Sequence, residues 1–259
     1  VALEYLVVPL VALLASGLTL FSGFGLGTLL MPAVAIFFPL PLAIAMTALV
    51  HLANNVFKAG LLGRHADLAV LWRFGVPAIL AAFAGAWLLA QLAASEPIAR
   101  YVLLGREYAV MPVKLVIGVL ILAFVAIEAS TRFKSMALDR RWLPLGGVVS
   151  GFFGGLSGHQ GALRSLFLIK SGLPKEAFVA TGAVIAMLID LTRLGVYGHD
   201  LRAQGQAVDW CLLGLASLAA FLGAYLGSRL LQKVTIAVVQ RMVAGLLVVV
   251  GLGLSAGLL

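Results

Sequence analysis

Ser22-Gly23-Phe24-Gly25-Leu26-Gly27 breaks a long apolar run with three glycines at alternate positions. Glycine lets the backbone bend, and it leaves N–H groups uncovered just where the next apolar helix begins, so the stretch is a candidate anion cradle. A counterpart stands far downstream at Gly154-Gly155-Leu156-Ser157-Gly158-His159-Gln160-Gly161, again between two short apolar stretches. The fold turns on whether these two breaks are one feature written twice.

The chain around them has 259 residues, 63% of them hydrophobic and only 11% charged. That is too little polar surface for a fold enclosed by water, and apolar runs near the ~20 residues that span a bilayer recur from end to end. The composition predicts an all-α polytopic membrane protein. Its formal charge of +8 falls mostly in short connections between apolar runs, the pattern of cytoplasmic basic loops and not of nucleic-acid binding. Cys211 is the single cysteine, which excludes an intrachain disulfide and a thiolate metal site. No metal or cofactor is expected. The first apolar run lacks a basic leader and a cleavage pattern and reads as structure.

Residues 5–21 and 28–38 flank the first break, and as one helix they would extend about 50 Å against roughly 30 Å of hydrocarbon. The chain therefore turns back at the glycines. Spans follow at 42–62, 71–93 and 110–130, with a loop holding Glu96 to Glu107 between the last two. Arg132, Lys134, Arg140 and Arg141 make 131–141 the densest basic stretch, a cytoplasmic linker. Beyond it the order repeats, with short runs at 143–156 and 162–169 around the second break and spans at 176–198, 208–230 and 235–258.

The repeat is visible in residues as well as in order. Ser16-Gly17 resembles Ser150-Gly151, Ser22-Gly23 resembles Ser157-Gly158, and Ala45-Met46-Thr47 resembles Val179-Ala180-Thr181. Asn55, Lys58 and Gly60 fall opposite Asp190, Arg193 and Gly195. The expected architecture is two repeats of about five helices, 1–130 and 142–259, each carrying a glycine-broken short helix or re-entrant hairpin. If each broken pair turns back, each half crosses an odd number of times, and Lys170, Lys175, Arg229 and Lys233 join 131–141 on the inside. The halves are then inverted with both termini outside, the plan many secondary transporters use to build a midplane site.

Candidate substrate groups follow from that plan. Helix N-termini opened by Ser22, Gly23, Gly25 and Gly27, and by Ser157, Gly158, His159, Gln160 and Gly161, offer unpaired donors that replace an anion's lost hydration. Single glycines in membranes often only permit close helix packing, but here two matched clusters occur. Thr47 and Thr181 occupy matched places early in the following spans, where a hydroxyl meets substrate or bonds its own helix. Asn54 and Asn55 are costly in hydrocarbon and should face inward, as helix glue or as substrate donors. Arg164, three residues after Gly161, lacks an obvious acidic neighbour and suits an anion. Asp190 and Arg193 lie three apart in a span, where they can pair, and Asp190 is the candidate proton-coupling residue beside the anion-binding Arg193. Lys58 reads as a snorkelling residue.

The paired motifs resemble the TauE/SafE family of sulfite exporters and related anion permeases, through Ser22-Gly23-Phe24-Gly25-Leu26-Gly27-Thr28-Leu29-Leu30-Met31-Pro32 and through Gly172-Leu173-Pro174 to Ala180-Thr181. The resemblance spans essentially the whole chain. It implies a bacterial inner-membrane permease for sulfite, a sulfonate or another organosulfur or carboxylate anion. Gly158-His159-Gln160-Gly161-Ala162-Leu163-Arg164 departs from the family's more uniform glycine run by adding hydrogen-bonding and positive groups. Two rival readings stand beside it. A passive anion channel would use the same lining, and Gly155-Leu156-Ser157-Gly158 with His51 and Asn55 resembles rhomboid intramembrane proteases, although His199 is expected in a polar loop after its span. The expected partners are a small anion, the lipid bilayer and a coupling proton. Association into a homo-oligomer is left open by the sequence.

Overall fold

The computed structural model describes residues 2–22, 26–130, 138–203, 208–230 and 236–259. Ten helices lie among them. The first five are α1 (Glu4–Ser22), α2 (Leu26–Ala35), α3 (Leu40–Leu62), α4 (Leu68–Ala93) and α5 (Pro112–Ala129). The second five are α6 (Leu143–Ser157), α7 (Gly161–Leu168), α8 (Lys175–Ala203), α9 (Trp210–Leu230) and α10 (Ile236–Ala256). Among the described residues, the four segments Leu40–His65, Leu68–Ala93, Pro112–Ala129 and Lys175–Gly198 are long and apolar enough to cross a bilayer. The expected helical membrane architecture is what the chain adopts.

Local chemistry sets the element ends. Prolines stand in the first turns of α3, α5 and α6, where their missing N–H leaves no helical bond unmade. Asp67 caps α4, its Oδ1 accepting the Val70 N–H at 2.9 Å. Within α4 the turn Leu71–Gly75 widens to π geometry just before Pro77, whose ring cannot fit a regular preceding turn. Gly158 closes α6 in the left-handed region, with φ 81°. Helix α8 runs on to Ala203, so His199 lies on a helix and not in the polar loop expected for it. The reason is that nothing between Val196 and Ala203 breaks a helix except tolerated glycine.

The helices pair across the two sequence halves. α1 packs on α9, α4 on α6, α3 on α8 and α5 on α10. The α4–α6 contact is a seam of small residues: a Cβ on Gly147, Gly151 or Gly155 would overlap the backbone of Phe74, Ala78 or Ala82, respectively. Both sets rise together along the chain, so these helices run parallel, backbone against backbone, as small residues at fourth positions permit. α1 and α9 are parallel too, since the Tyr5 hydroxyl donates to Asp209 just before α9 and Gly223, further along, meets the backbone of Leu13.

The other two pairs run antiparallel. His51 in mid-α3 reaches Asp190 of α8, while Asp67 beyond the end of α3 meets Thr181 near the start of α8. Likewise Gly118 of α5 lies on Ser255 of α10, and Leu122, one turn on, lies on Gly251. α1 also packs on α2, and α6 on α7, so the described helices that flank each break lie against one another.

Large apolar side chains point outward, among them Leu6, Trp72, Leu80, Phe83, Trp87, Leu218 and Val249. The buried faces of α4 and α9 are mostly alanine and glycine. That inversion of the soluble pattern suits a lipid surround. One element was not expected: residues of the loop before α5 form a hairpin of β1 (Ala99–Leu103) and β2 (Arg106–Val110). Its turn, Leu104-Gly105, has positive φ at both residues, and cross-strand stacking of Tyr101 on Tyr108 stabilises it. The Tyr101 hydroxyl donates to the Ala256 carbonyl, tying the hairpin to the end of α10.

Candidate functional site

The two glycine breaks meet. A Cβ placed on Gly27, at the start of α2, would stand 3.5 Å from the carbonyl oxygen of Gly158 and 3.8 Å from the Thr47 side chain. A Cβ placed on Gly158 would stand 2.8 Å from Nη1 of Arg193. Thus the second break, the start of α2, the early part of α3 and a guanidinium on α8 share one neighbourhood. It is buried: Thr47, Gln160, Asp190 and Arg193 are each no more than 2% exposed.

One carboxylate organises it. Asp190 Oδ1 accepts Arg193 Nε at 3.0 Å and Arg193 Nη2 at 2.8 Å, the paired geometry expected of residues three apart on a helix. The same oxygen accepts Gln160 Nε2 at 3.4 Å. Its other oxygen, Oδ2, lies 2.6 Å from His51 Nδ1 of α3. Gln160 turns its own oxygen toward Arg164, which donates from Nη1 at 3.1 Å. Arg164 in turn lies against α8, its Nε 3.5 Å from where a Cβ of Gly182 would be. Among the described residues Arg164 has no carboxylate partner, so Asp190 answers for one of two arginines in the group. The charge left over is positive.

Among the described residues, several buried polar atoms have no hydrogen-bond partner: Thr47 Oγ1, Asn54 Nδ2 and His159 Nε2. Such atoms normally cost stability. The Ser157 hydroxyl donates to the Phe153 carbonyl at 3.1 Å, and His159 Nδ1 lies 3.0 Å from the Ser157 oxygen. With the hydroxyl proton engaged, Nδ1 carries the imidazole proton and Nε2 is left with its lone pair. The ring is fixed by stacking on Phe124, centroids 5.2 Å apart.

The other expected residues fall as follows. Asn54 accepts from Ser16 at 3.4 Å through Oδ1. Asn55 places its amide nitrogen 3.1 Å and 3.4 Å from the two ring nitrogens of His51. Gly161 opens α7 and is buried. Thr181 is buried, its hydroxyl oxygen accepting the Asp67 N–H at 2.9 Å. Gly23 and Gly25 lie outside the described residues, and Ser22 is described only as the last residue of α1.

Two residues of the group escaped sequence reasoning. His51 was read only through the protease resemblance, although Thr47, His51 and Asn55 at successive fourth positions put a polar stripe on one face of an apolar helix. Tyr197, whose hydroxyl donates to the Gly155 carbonyl, lies one turn beyond Arg193 on the same face of α8. Its signal was the same periodicity.

The chain matches a family of known proteins. The family model described as sulfite exporter TauE/SafE covers residues 8–254. No curated protein and no solved structure matches.

Proposed function

We propose that this chain, which belongs to the sulfite exporter TauE/SafE family of membrane transporters, is a secondary transporter for a small anion. Sulfite, a sulfonate, or another organosulfur or carboxylate anion is the substrate class, and the bacterial inner membrane its place. The observation that carries the reading is the meeting of the two glycine breaks at Gly27 and Gly158, with the Arg193 guanidinium beside them. A buried arginine, a second one without a carboxylate among the described residues, and the unpartnered Thr47 hydroxyl together supply what an anion loses on leaving water.

The inverted-repeat reading, with repeats at 1–130 and 142–259 joined by the basic linker 131–141, is supported by the helix directions. Counting α1–α5 and α6–α10 as equivalent sets, the first helix of each set packs on the fourth of the other, parallel in both cases. The third helices pair with each other, as do the fifth, and both pairs are antiparallel. Two-fold rotation about an axis in the membrane plane requires that pattern, whereas repeats of the same orientation would make the third helices parallel. Such a pair can rock about the shared site and open it to alternate sides, and the buried charged cluster around Asp190 couples that motion to a proton.

The direction of the Ser157 hydroxyl bond weighs against the intramembrane protease reading, because the hydroxyl is donated to a carbonyl and not to a base. The test is uptake in proteoliposomes. Labelled sulfite or taurine-type sulfonate should accumulate against its own gradient under an imposed proton gradient, and Arg193→Gln should abolish this with the protein still folded. Flux that only ever runs downhill would replace the transporter by a channel, and binding of no small anion would remove the reading altogether.

A further inference from the structure

We propose that His51 is the proton site of this transporter, and that a proton on its imidazole makes it the counter-ion of Asp190 and releases Arg193 to the anion. The inference rests on the anion-transport reading above. It comes from how one carboxylate is shared.

Asp190 divides its two oxygens between two helices. Oδ1 holds the Nε and Nη2 edge of Arg193 on its own helix, and Oδ2 is held by His51 of α3 at 2.6 Å. The third guanidinium nitrogen of Arg193, Nη1, is the one that lies against Gly158 at the break. The guanidinium therefore has one edge on the carboxylate and one nitrogen at the site. Neutral His51 contributes only a hydrogen bond to Asp190, so the ion pair is made with Arg193. When His51 is charged, Asp190 has a second cation at hydrogen-bond distance, and its hold on Arg193 weakens by mutual neutralisation. A guanidinium freed of its carboxylate in a buried place needs another anion, and the substrate supplies it.

The charged groups that face His51 fix the sign of this coupling. They are Asp190 and Arg193 of α8 and Arg164 of α7; within α3, Asn55 is neutral and touches both ring nitrogens. Asp190 favours the imidazolium and the two arginines oppose it. An anion arriving at the arginines cancels that opposition, so anion and proton each strengthen binding of the other, as linkage requires. The proton thus travels with the anion.

The experiment uses the purified full chain in weak buffer with a pH-indicating dye. Methanesulfonate is the probe, since it carries no titratable proton of its own and any proton taken up goes to the protein. Across a pH series, wild type should take up about one proton per bound anion at its maximum, the linkage expected of a single coupled group. His51→Asn, which keeps an amide N–H where Nδ1 stands, should bind the anion with uptake reduced at least about fivefold. His51→Gln is the second variant should the first fail to fold. Anion binding by wild type without proton uptake at any pH overturns the proposal, independently of either variant. Undiminished uptake in a folded His51 variant also overturns it, and moves the proton to another group of the cluster, Asp190 or His159. If neither methanesulfonate nor sulfite nor acetate binds wild type, the transport reading itself falls and this inference with it.

Discussion

Asp190→Asn tests the centre of the site most directly. In the native protein the carboxylate accepts two bonds from Arg193, one from Gln160 and one from His51, with Arg193 only 1% exposed. Removing one partner of such a buried pair costs about 3–5 kcal/mol, because the remaining charge is left without a counter-ion. Asparagine keeps one oxygen that Arg193 can still reach, which places the loss near the lower end, about 3 kcal/mol. For a chain of this size that corresponds to a fall in Tm of about 6–12 °C. Asp190→Asn combined with Arg193→Gln, which removes both charges, should recover most of the loss, as expected of directly coupled residues. The assay is thermal unfolding of the detergent-purified protein with and without saturating methanesulfonate. The anion should protect Asp190→Asn more than wild type, since Arg193 then stands without its carboxylate. A single variant that melts within a degree or two of wild type would refute the buried-pair reasoning. Equal anion protection of both proteins would refute the claim that Arg193 faces the substrate.

Gly151→Leu should abolish folded yield in detergent extraction, because its Cβ alone overlaps the Ala78 backbone and the α4–α6 seam leaves no room to give; overpacking of this kind costs about 1–3 kcal/mol for far smaller insertions. Gly158→Ala combines a left-handed backbone, costing roughly 1–2 kcal/mol, with displacement of Arg193, so anion affinity should fall along with Tm in the same melting assay. Asp209, which caps α9 from just before its first residue, has its carboxyl held below the usual range first by the Leu212 N–H and then by the Tyr5 hydroxyl. A depressed folded value contributes stability above the unfolded carboxyl value and loses it as pH falls through the folded one. Asp209→Asn should accordingly melt lower than wild type at neutral pH, with the difference closing in acid. Cysteine labelling on a Cys211→Ala background should reach residues 131–141 only from inside and both termini only from outside.

Element positions were legible because hydrophobic runs and glycine or proline breaks carry them directly. The spans expected at 42–62 and 71–93 differ from α3 and α4 by a few residues at their starts, where capping by Pro39 and Asp67 decides. The hairpin at 99–110 was illegible, since Leu104-Gly105 is a weak turn signal and the strands owe their pairing to stacked tyrosines and to contact with α10. At the site, the pairing of Asp190 with Arg193 could be read from spacing alone, being three residues apart on one helix. The bond from His51 could not, because it joins residues 139 apart and depends on how α3 crosses α8. Thr181 shows a further partner that spacing does not reveal: its hydroxyl oxygen accepts the Asp67 N–H from the loop after α3, which leaves its own proton to donate.

The exchange of partners between halves, α1 with α9 and α6 with α4, bears on how the protein is made. A ribosome releasing this chain delivers α1 to the bilayer some two hundred residues before α9 is complete, which at ~5–20 residues per second is a wait on the order of 10–40 s. For that time the surface destined for Gly223 is covered only by lipid or by an insertion factor. If 131–141 joins two repeats, as proposed above, translation still cannot finish a stable unit there. Two separately expressed halves should therefore accumulate together or not at all, each being the other's assembly chaperone.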